Sequence, residues 1–209
     1  MPPLTELAHS IVREIVHRGD VTIDATAGNG HDTRYLADLV GQTGLVWAID
    51  VQQAAIEQTS FNLGPTRRGH VRLLHNNHAD LKSLIPNEYH GHISVVMFNL
   101  GYLPGGDPSL TTLATTTLTA VEACLELLRP GGVLTLIAYL GQSGGAVEAE
   151  AIEGLLNRLD PGTFEVSRYS SAGISTSSPR LRVVRKRVPS GTFRRAPFDE
   201  SSPQSLNHG

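Results

Sequence analysis

The chain has 209 residues, 40% hydrophobic and 18% charged, an ordinary globular composition that suits one domain with a sizeable core and needs no accessory domain. A net charge of −3 does not mark a nucleic-acid binder, and a single cysteine, Cys124, excludes an internal disulfide and a cysteine-based zinc site. The apolar runs are too short to span a bilayer and the first residues lack the pattern of a signal peptide, so a cytoplasmic protein is expected.

Leu4, Leu7, Ala8, Ile11 and Ile15 recur at helical spacing and predict an amphipathic opening helix, most simply packed beside the first strand. A β-branched strand over 21–26 follows, then a helix near 31–40, a strand over 44–50 and a helix near 52–63. Val71-Arg72-Leu73-Leu74 makes a third strand, and 91–99 makes the fourth and most apolar one. A long helix is expected over 110–129, ended by Arg129-Pro130-Gly131-Gly132. Cys124 lies in it among Leu118, Val121, Leu125 and Leu128, where a buried thiol is expected. The fifth strand covers 133–139, and Val147, Ile152, Leu155, Leu156 and Leu159 trace another helix. Two last strands, 164–169 and 181–188, form a hairpin-like pair across a Ser, Thr, Gly and Pro-rich stretch. Residues 1–188 thus make one domain, and the Pro, Ser and Gly-rich 189–209 a disordered tail.

Alternating strands and helices predict an α/β fold with a doubly wound, mostly parallel seven-stranded sheet, helices on both faces and an antiparallel C-terminal strand. Five strands with intervening helices and a terminal two-strand unit is the class I methyltransferase layout, which is Rossmann-like. A dehydrogenase more often continues into a sixth parallel strand or a substrate domain.

The richest segment is Asp24-Ala25-Thr26-Ala27-Gly28-Asn29-Gly30-His31-Asp32-Thr33, a glycine-bearing turn between a buried strand and a helix. There the backbone can approach a ligand, and the free N–H groups of the following helix point into the same space. A dinucleotide fingerprint needs a third glycine where this chain has Thr33. An acid followed by alternating glycines instead suits S-adenosylmethionine, with Asp24 near the methionine ammonium and Thr26 where a further glycine is expected. Asp50 closes the second strand and is placed for both ribose hydroxyls in either cofactor class. The bland alternative is that both acids cap helices and the glycines only turn the chain; acids at two successive strand ends weigh against it.

The ten-residue turn, Asp50-Val51-Gln52 with Ala55, Ile56 and Thr59, the run Asn99-Leu100-Gly101-Tyr102-Leu103-Pro104-Gly105-Gly106-Asp107, and Tyr139 with Gly141, Gly144, Gly145 and Glu148 resemble the bacterial and plastid MnmM (YtqB) family, once labelled rRNA methylases. The resemblance covers residues 1 to about 160 and implies methylation of the aminomethyl group of 5-aminomethyluridine at the wobble position of the tRNA anticodon. Cofactor contacts are then expected from Asp24, Thr26, Gly28, Asn29, Gly30, His31, Asp32, Thr33, Asp50, Gln52, His78 and Asn99. Asn-Leu-Gly-Tyr looks like the Asn-Pro-Pro-Tyr element of amino-group methyltransferases, so Asn99 would orient the amine and Tyr102 would stack on or wall the base. Leu103, Pro104, Gly105, Tyr139 and Gln142 complete the expected substrate pocket. Two departures stand out: Gly141-Gln142 replaces an expected Gly-His pair, and the part from Ser170 onward is unlike the family's usual ending.

An aliphatic amine must lose a proton, and Asp107 or His78 could accept it, His78 equally as a cofactor contact. His9, His17, His70, His90, His92 and His208 are expected on the surface, and no spacing suggests a metal. Arg180, Arg182, Arg185, Lys186, Arg187, Arg194 and Arg195 fall in a segment without acids, either a strip for a polyanion such as tRNA or a charge-protected edge strand with a basic tail. Alternatives to the tRNA enzyme are a methyltransferase of rRNA or a small amine, a nicotinamide-dependent oxidoreductase, and a non-catalytic RNA-binding protein. A homodimer is a base-rate expectation for such small enzymes.

Overall fold

The computed structural model describes residues 3–101, 112–141, 144–170 and 178–189. Their helices are α1 (Leu4–Ile15), α2 (His31–Val40), α3 (Gln53–Arg67), α4 (Leu81–Leu84), α5 (Ala114–Leu127) and α6 (Gly145–Leu156). The strands are β1 (Val21–Asp24), β2 (Leu45–Asp50), β3 (Val71–His75), β4 (Ile93–Leu100), β5 (Leu128–Ala138), β6 (Phe164–Ser170) and β7 (Arg180–Lys186). They form one sheet in the order β3-β2-β1-β4-β5-β7-β6. The first five run parallel, and β7 lies antiparallel between β5 and β6. The expected fold class is the observed one. None of the described helices is long and apolar enough to cross a membrane.

The central strands are apolar on both sides because both faces are covered. On one face Leu36, Val40, Val46, Leu63, Val95 and Ile137 pack with Leu4, Ala8 and Val12 of α1. On the other, Ile23, Ile49, Val96, Phe98 and Leu134 pack with Val121, Cys124 and Leu127 of α5 and with Ile152 and Leu155 of α6. Cys124 is fully buried there, and burial pushes its thiol pKa far up, as a core thiol requires. α1 is displaced from the expected place beside β1: it lies across β4, β5 and β7. Buried residues at 4, 8, 12 and 15 form one stripe, which covers the half of the sheet that α2 and α3 leave open.

The long helix ends at Leu127, earlier than expected, because Leu128 is already extended and pairs with Ile93. Arg129-Pro130-Gly131-Gly132, read in the sequence as a helix stop, is an irregular stretch of β5 where the register with β4 shifts. Gly131 has φ of +78°, and a Cβ on Gly132 would come within 2.9 Å of two backbone carbonyls, so this bulge needs its glycines. The expected start of that helix at 110, and the tail beyond Pro189, lie outside the described residues.

The turn after β1 is set from below by Asp24, which has no solvent exposure. Its carboxylate accepts the Thr33 hydroxyl at 2.5 Å and the Thr26 N–H at 3.2 Å, joining the strand end to the first turn of α2. Burial pushes the Asp24 carboxyl up from 3.8 to about 7, with the charges of Asp32 and Asp50 adding and the two hydrogen bonds opposing. A carboxyl whose pKa is raised on folding adds stability that is complete below its unfolded pKa and is lost as pH rises through the folded one. The unfolding free energy of the ligand-free protein should therefore fall from pH 4 to pH 7 more steeply than that of Asp24→Asn, by about 1 kcal/mol per pH unit, and its melting temperature with it. Parallel pH profiles in thermal unfolding would contradict this.

Candidate functional site

At the carboxyl ends of β1, β2 and β4, on either side of the point where strand order reverses, the structure opens a cavity of about 480 Å³. Its floor is the turn after β1, held to its neighbours by backbone bonds from Ala25 N–H to the Met97 carbonyl and from Ala27 N–H to the Ile49 carbonyl, both 2.9 Å. Gly30 has φ of +80°, and a Cβ there would press on Thr59 of α3 at 3.0 Å. α3 also grips the turn directly: the Thr59 hydroxyl donates to the Gly28 carbonyl at 3.0 Å and the Asn62 amide to the Asn29 carbonyl at 2.8 Å.

Asp50 bridges two loops. One carboxylate oxygen accepts the Gly28 N–H and the other the Gln52 N–H, both at 2.9 Å, and each keeps a further lone pair. Thr26, which stands where a further glycine was expected, has a use for its side chain: its Oγ1 accepts the Asn99 N–H at 2.7 Å and ties the turn to the end of β4. The Asn99 side chain lies near the Tyr139 hydroxyl, and both line the cavity. Burial raises the Tyr139 pKa, the Asp32 charge adds, and the Asn99 side chain acts in the opposite sense.

His78 lines the cavity and touches Phe98 edge-on at 5.6 Å between ring centroids. Burial lowers its pKa, against a hydrogen bond to the Ala25 backbone and the charge of Asp50. Its Nε2 is buried with no partner among the described residues.

Ten expected residues meet in the cavity wall: Thr26, Gly28, Asn29, His31, Asp32, Asp50, Gln52, His78, Asn99 and Tyr139. Asp24, Gly30 and Thr33 stand behind it, where they shape the turn. The acid of this turn that reaches the cavity is Asp32, which changes which carboxylate is offered to a ligand. Tyr102, Leu103, Pro104, Gly105, Asp107 and Gln142 lie outside the described residues. Asn77, Val51, Thr112, Leu113 and Thr116 also line the cavity and escaped the sequence reading. Only Asn77 carried a local signal, since its side chain accepts the Ala79 N–H at 2.9 Å in the Asx turn that its sequence favours.

Three histidines expected on the surface are engaged. His9 bonds Asp32 at 2.6 Å, His70 is buried against the Ala37 carbonyl at 3.1 Å, and His90 bonds the Ile85 carbonyl at 2.8 Å. The basic segment also departs from expectation. β7 lies inside the sheet, so it is no edge strand; β6 is the edge. Arg182 and Arg168 both pair with Glu153, Arg187 pairs with Glu165 at 3.6 Å, and Lys186 donates to the Leu125 and Leu128 carbonyls at the end of α5. Burial opposes ionisation of Glu153, but its two guanidinium partners hold its pKa below the ordinary value. Of the basic segment, Arg182, Lys186 and Arg187 thus serve the fold, and Arg194 and Arg195 lie outside the described residues.

Comparison with known proteins agrees with this architecture. The family described as "Putative rRNA methylase" matches residues 46–185. The match runs past residue 160, where the motif resemblance stopped, and takes in β6 and most of β7. A protein named tRNA (mnm(5)s(2)U34)-methyltransferase, chloroplastic, from Arabidopsis thaliana is 40% identical over 158 residues, 71% of this chain and 57% of its own length. The chain thus spans little more than half of that relative. An rRNA methylase structure from Clostridium thermocellum superposes with a TM-score of 0.84 at 34% identity, covering 89% of this chain and 98% of that one. A methyltransferase from Streptococcus mutans, solved in complex with SAH, gives 0.79 at 32% identity, with 89% and 99% covered. The chain belongs to this rRNA methylase family of class I methyltransferases, the MnmM-like family that its motifs resemble.

Proposed function

We propose that the protein is an S-adenosylmethionine-dependent RNA methyltransferase, and that its substrate is the aminomethyl amine of 5-aminomethyluridine at the wobble position of tRNA, giving 5-methylaminomethyluridine. The observation that carries this is the convergence, in one cavity, of a glycine turn, the two carboxylates of Asp32 and Asp50, and Asn99 near the end of the central strand β4. The SAH-bound Streptococcus mutans relative and the tRNA enzyme of Arabidopsis support it. The residues present fit the cofactor. Asp50 at the end of β2 has lone pairs for a ribose diol, and His78 Nε2, buried with no partner among the described residues, is a polar atom that the adenine would engage. Asp32, on the side of the cavity nearer Tyr139, offers a negative charge to a methionine ammonium. When bound, S-adenosylmethionine supplies an electrophilic methyl group and leaves as S-adenosylhomocysteine.

The chain's own part is mostly positioning. Asn99 accepts an N–H of the amine and so aims its lone pair, with Tyr139 beside it in the cavity wall. The raised pKa of Tyr139 keeps its phenol protonated, so it orients rather than accepts the amine's proton. Tyr102 and Asp107 complete the reading as base platform and proton acceptor, with Leu103, Pro104, Gly105 and Gln142 around the substrate.

Three outcomes are expected. The purified protein should bind S-adenosylmethionine and not NAD in calorimetric titration; NAD binding alone would return the chain to the oxidoreductase class. Asn99→Ala should lower kcat on tRNA about 100-fold while changing S-adenosylmethionine affinity less than about threefold; unchanged turnover would remove Asn99 from the reaction. Mass spectrometry of tRNA nucleosides from a deletion strain should show 5-aminomethyluridine accumulating. A missing methylated nucleoside in rRNA, with tRNA unchanged, would replace the tRNA substrate by rRNA.

A further inference from the structure

α1 precedes the nucleotide-binding βαβ unit and packs on the opposite half of the sheet, yet one of its side chains reaches the cavity wall. His9 Nε2 stands 2.6 Å from Asp32 Oδ1. An ionised carboxylate only accepts, so Nε2 carries the hydrogen. The imidazole stacks on Tyr35 of α2, with ring centroids 3.9 Å apart and planes within 6°. The Tyr35 hydroxyl in turn donates to the His9 backbone carbonyl at 2.6 Å. His9 is thus held by ring and by backbone, and its side chain is 28% exposed against 12% for Asp32.

Asp32 needs such support. It lies in the first turn of α2, close enough to raise the pKa values of both Asp24 and Tyr139, so it faces an anion behind it and a phenol in front. Its charge is the one that reaches the β5 side of the cavity, whereas Asp50 serves the β2 side. A carboxylate with one oxygen fixed by a donor from outside the cavity presents the other to a ligand in a set direction.

We propose that His9 is a positioning residue: it orients Asp32 toward the cationic amino-acid end of the bound cofactor, so that α1 takes part in cofactor affinity as well as in the core. This rests on the S-adenosylmethionine reading above. Two ligands separate the ends of the site, because 5′-methylthioadenosine keeps the nucleoside and lacks the amino-acid group and the sulfonium charge. His9→Leu should weaken S-adenosylmethionine binding about tenfold in calorimetry and change 5′-methylthioadenosine binding less than about twofold. His9→Gln, whose amide can donate to Asp32, should recover most of the loss. In an Asp32→Asn background, His9→Leu should add nothing to the loss already caused by Asp32→Asn. Equal weakening of both ligands with a lowered melting temperature would show that His9 only docks α1, and would overturn the proposal. So would unchanged S-adenosylmethionine affinity in His9→Leu. Wild-type protein that binds neither ligand would instead remove the cofactor reading on which the proposal stands.

Discussion

The turn between β1 and α2 depends on a carboxylate placed where water cannot reach it. Asp24 accepts from the backbone at Thr26 and from the hydroxyl of Thr33, and those two bonds set the direction in which α2 leaves the sheet. Everything at the site is hung from that turn. Thr26, once oriented, receives the Asn99 N–H from β4; Gly28 donates to Asp50 from β2; Gly28 and Asn29 present carbonyls to Thr59 and Asn62 of α3. Four elements remote in sequence are thereby registered through side-chain bonds of 2.7–3.0 Å. A buried hydrogen bond of this kind stabilises little in net terms, but leaving either partner unpaired costs about 1–3 kcal/mol, which makes the arrangement specific.

Much of this fold was legible in the sequence because burial on two faces leaves a plain signature. β4 is apolar from Val95 to Phe98, and the break from that run to the Asn99 amide marks where the site begins. The alternation of strands and helices, and the acids at the ends of β1 and β2, were legible for the same reason. Failures came where one residue pattern serves two geometries. Arg-Pro-Gly-Gly reads equally as a helix stop and as a bulged strand entry, and only the pairing of Leu128 with Ile93 decides it. Arg182 of β7 reads as free charge because Glu153, its partner, lies on α6, 29 residues earlier. His9 carried no local signal, since its meaning depends on an aspartate 23 residues later that the turn brings into reach. Thr26 looked like a departure from a glycine pattern; its hydroxyl oxygen is the acceptor that β4 needs.

Asp24, Asp32 and Asp50 crowd one end of the sheet, and the cost is visible in the upward shift of Asp24, to which both neighbours contribute beyond burial. A neutral or anionic ligand would leave that repulsion in place or increase it. A ligand carrying positive charge would lower the potential at all three carboxylates at once, so the same crowding that weakens the empty fold near neutral pH becomes differential affinity for a cation. His9 supplies only a directed donor to one of the three, which orients Asp32 without cancelling the cluster. The glycines bring backbone close to any nucleotide; the acids around them restrict which nucleotide is welcome. A dinucleotide brings a pyrophosphate to this turn, whereas S-adenosylmethionine brings a sulfonium and an ammonium, and the carboxylates of Asp32 and Asp50 in the cavity wall favour the second on electrostatic grounds.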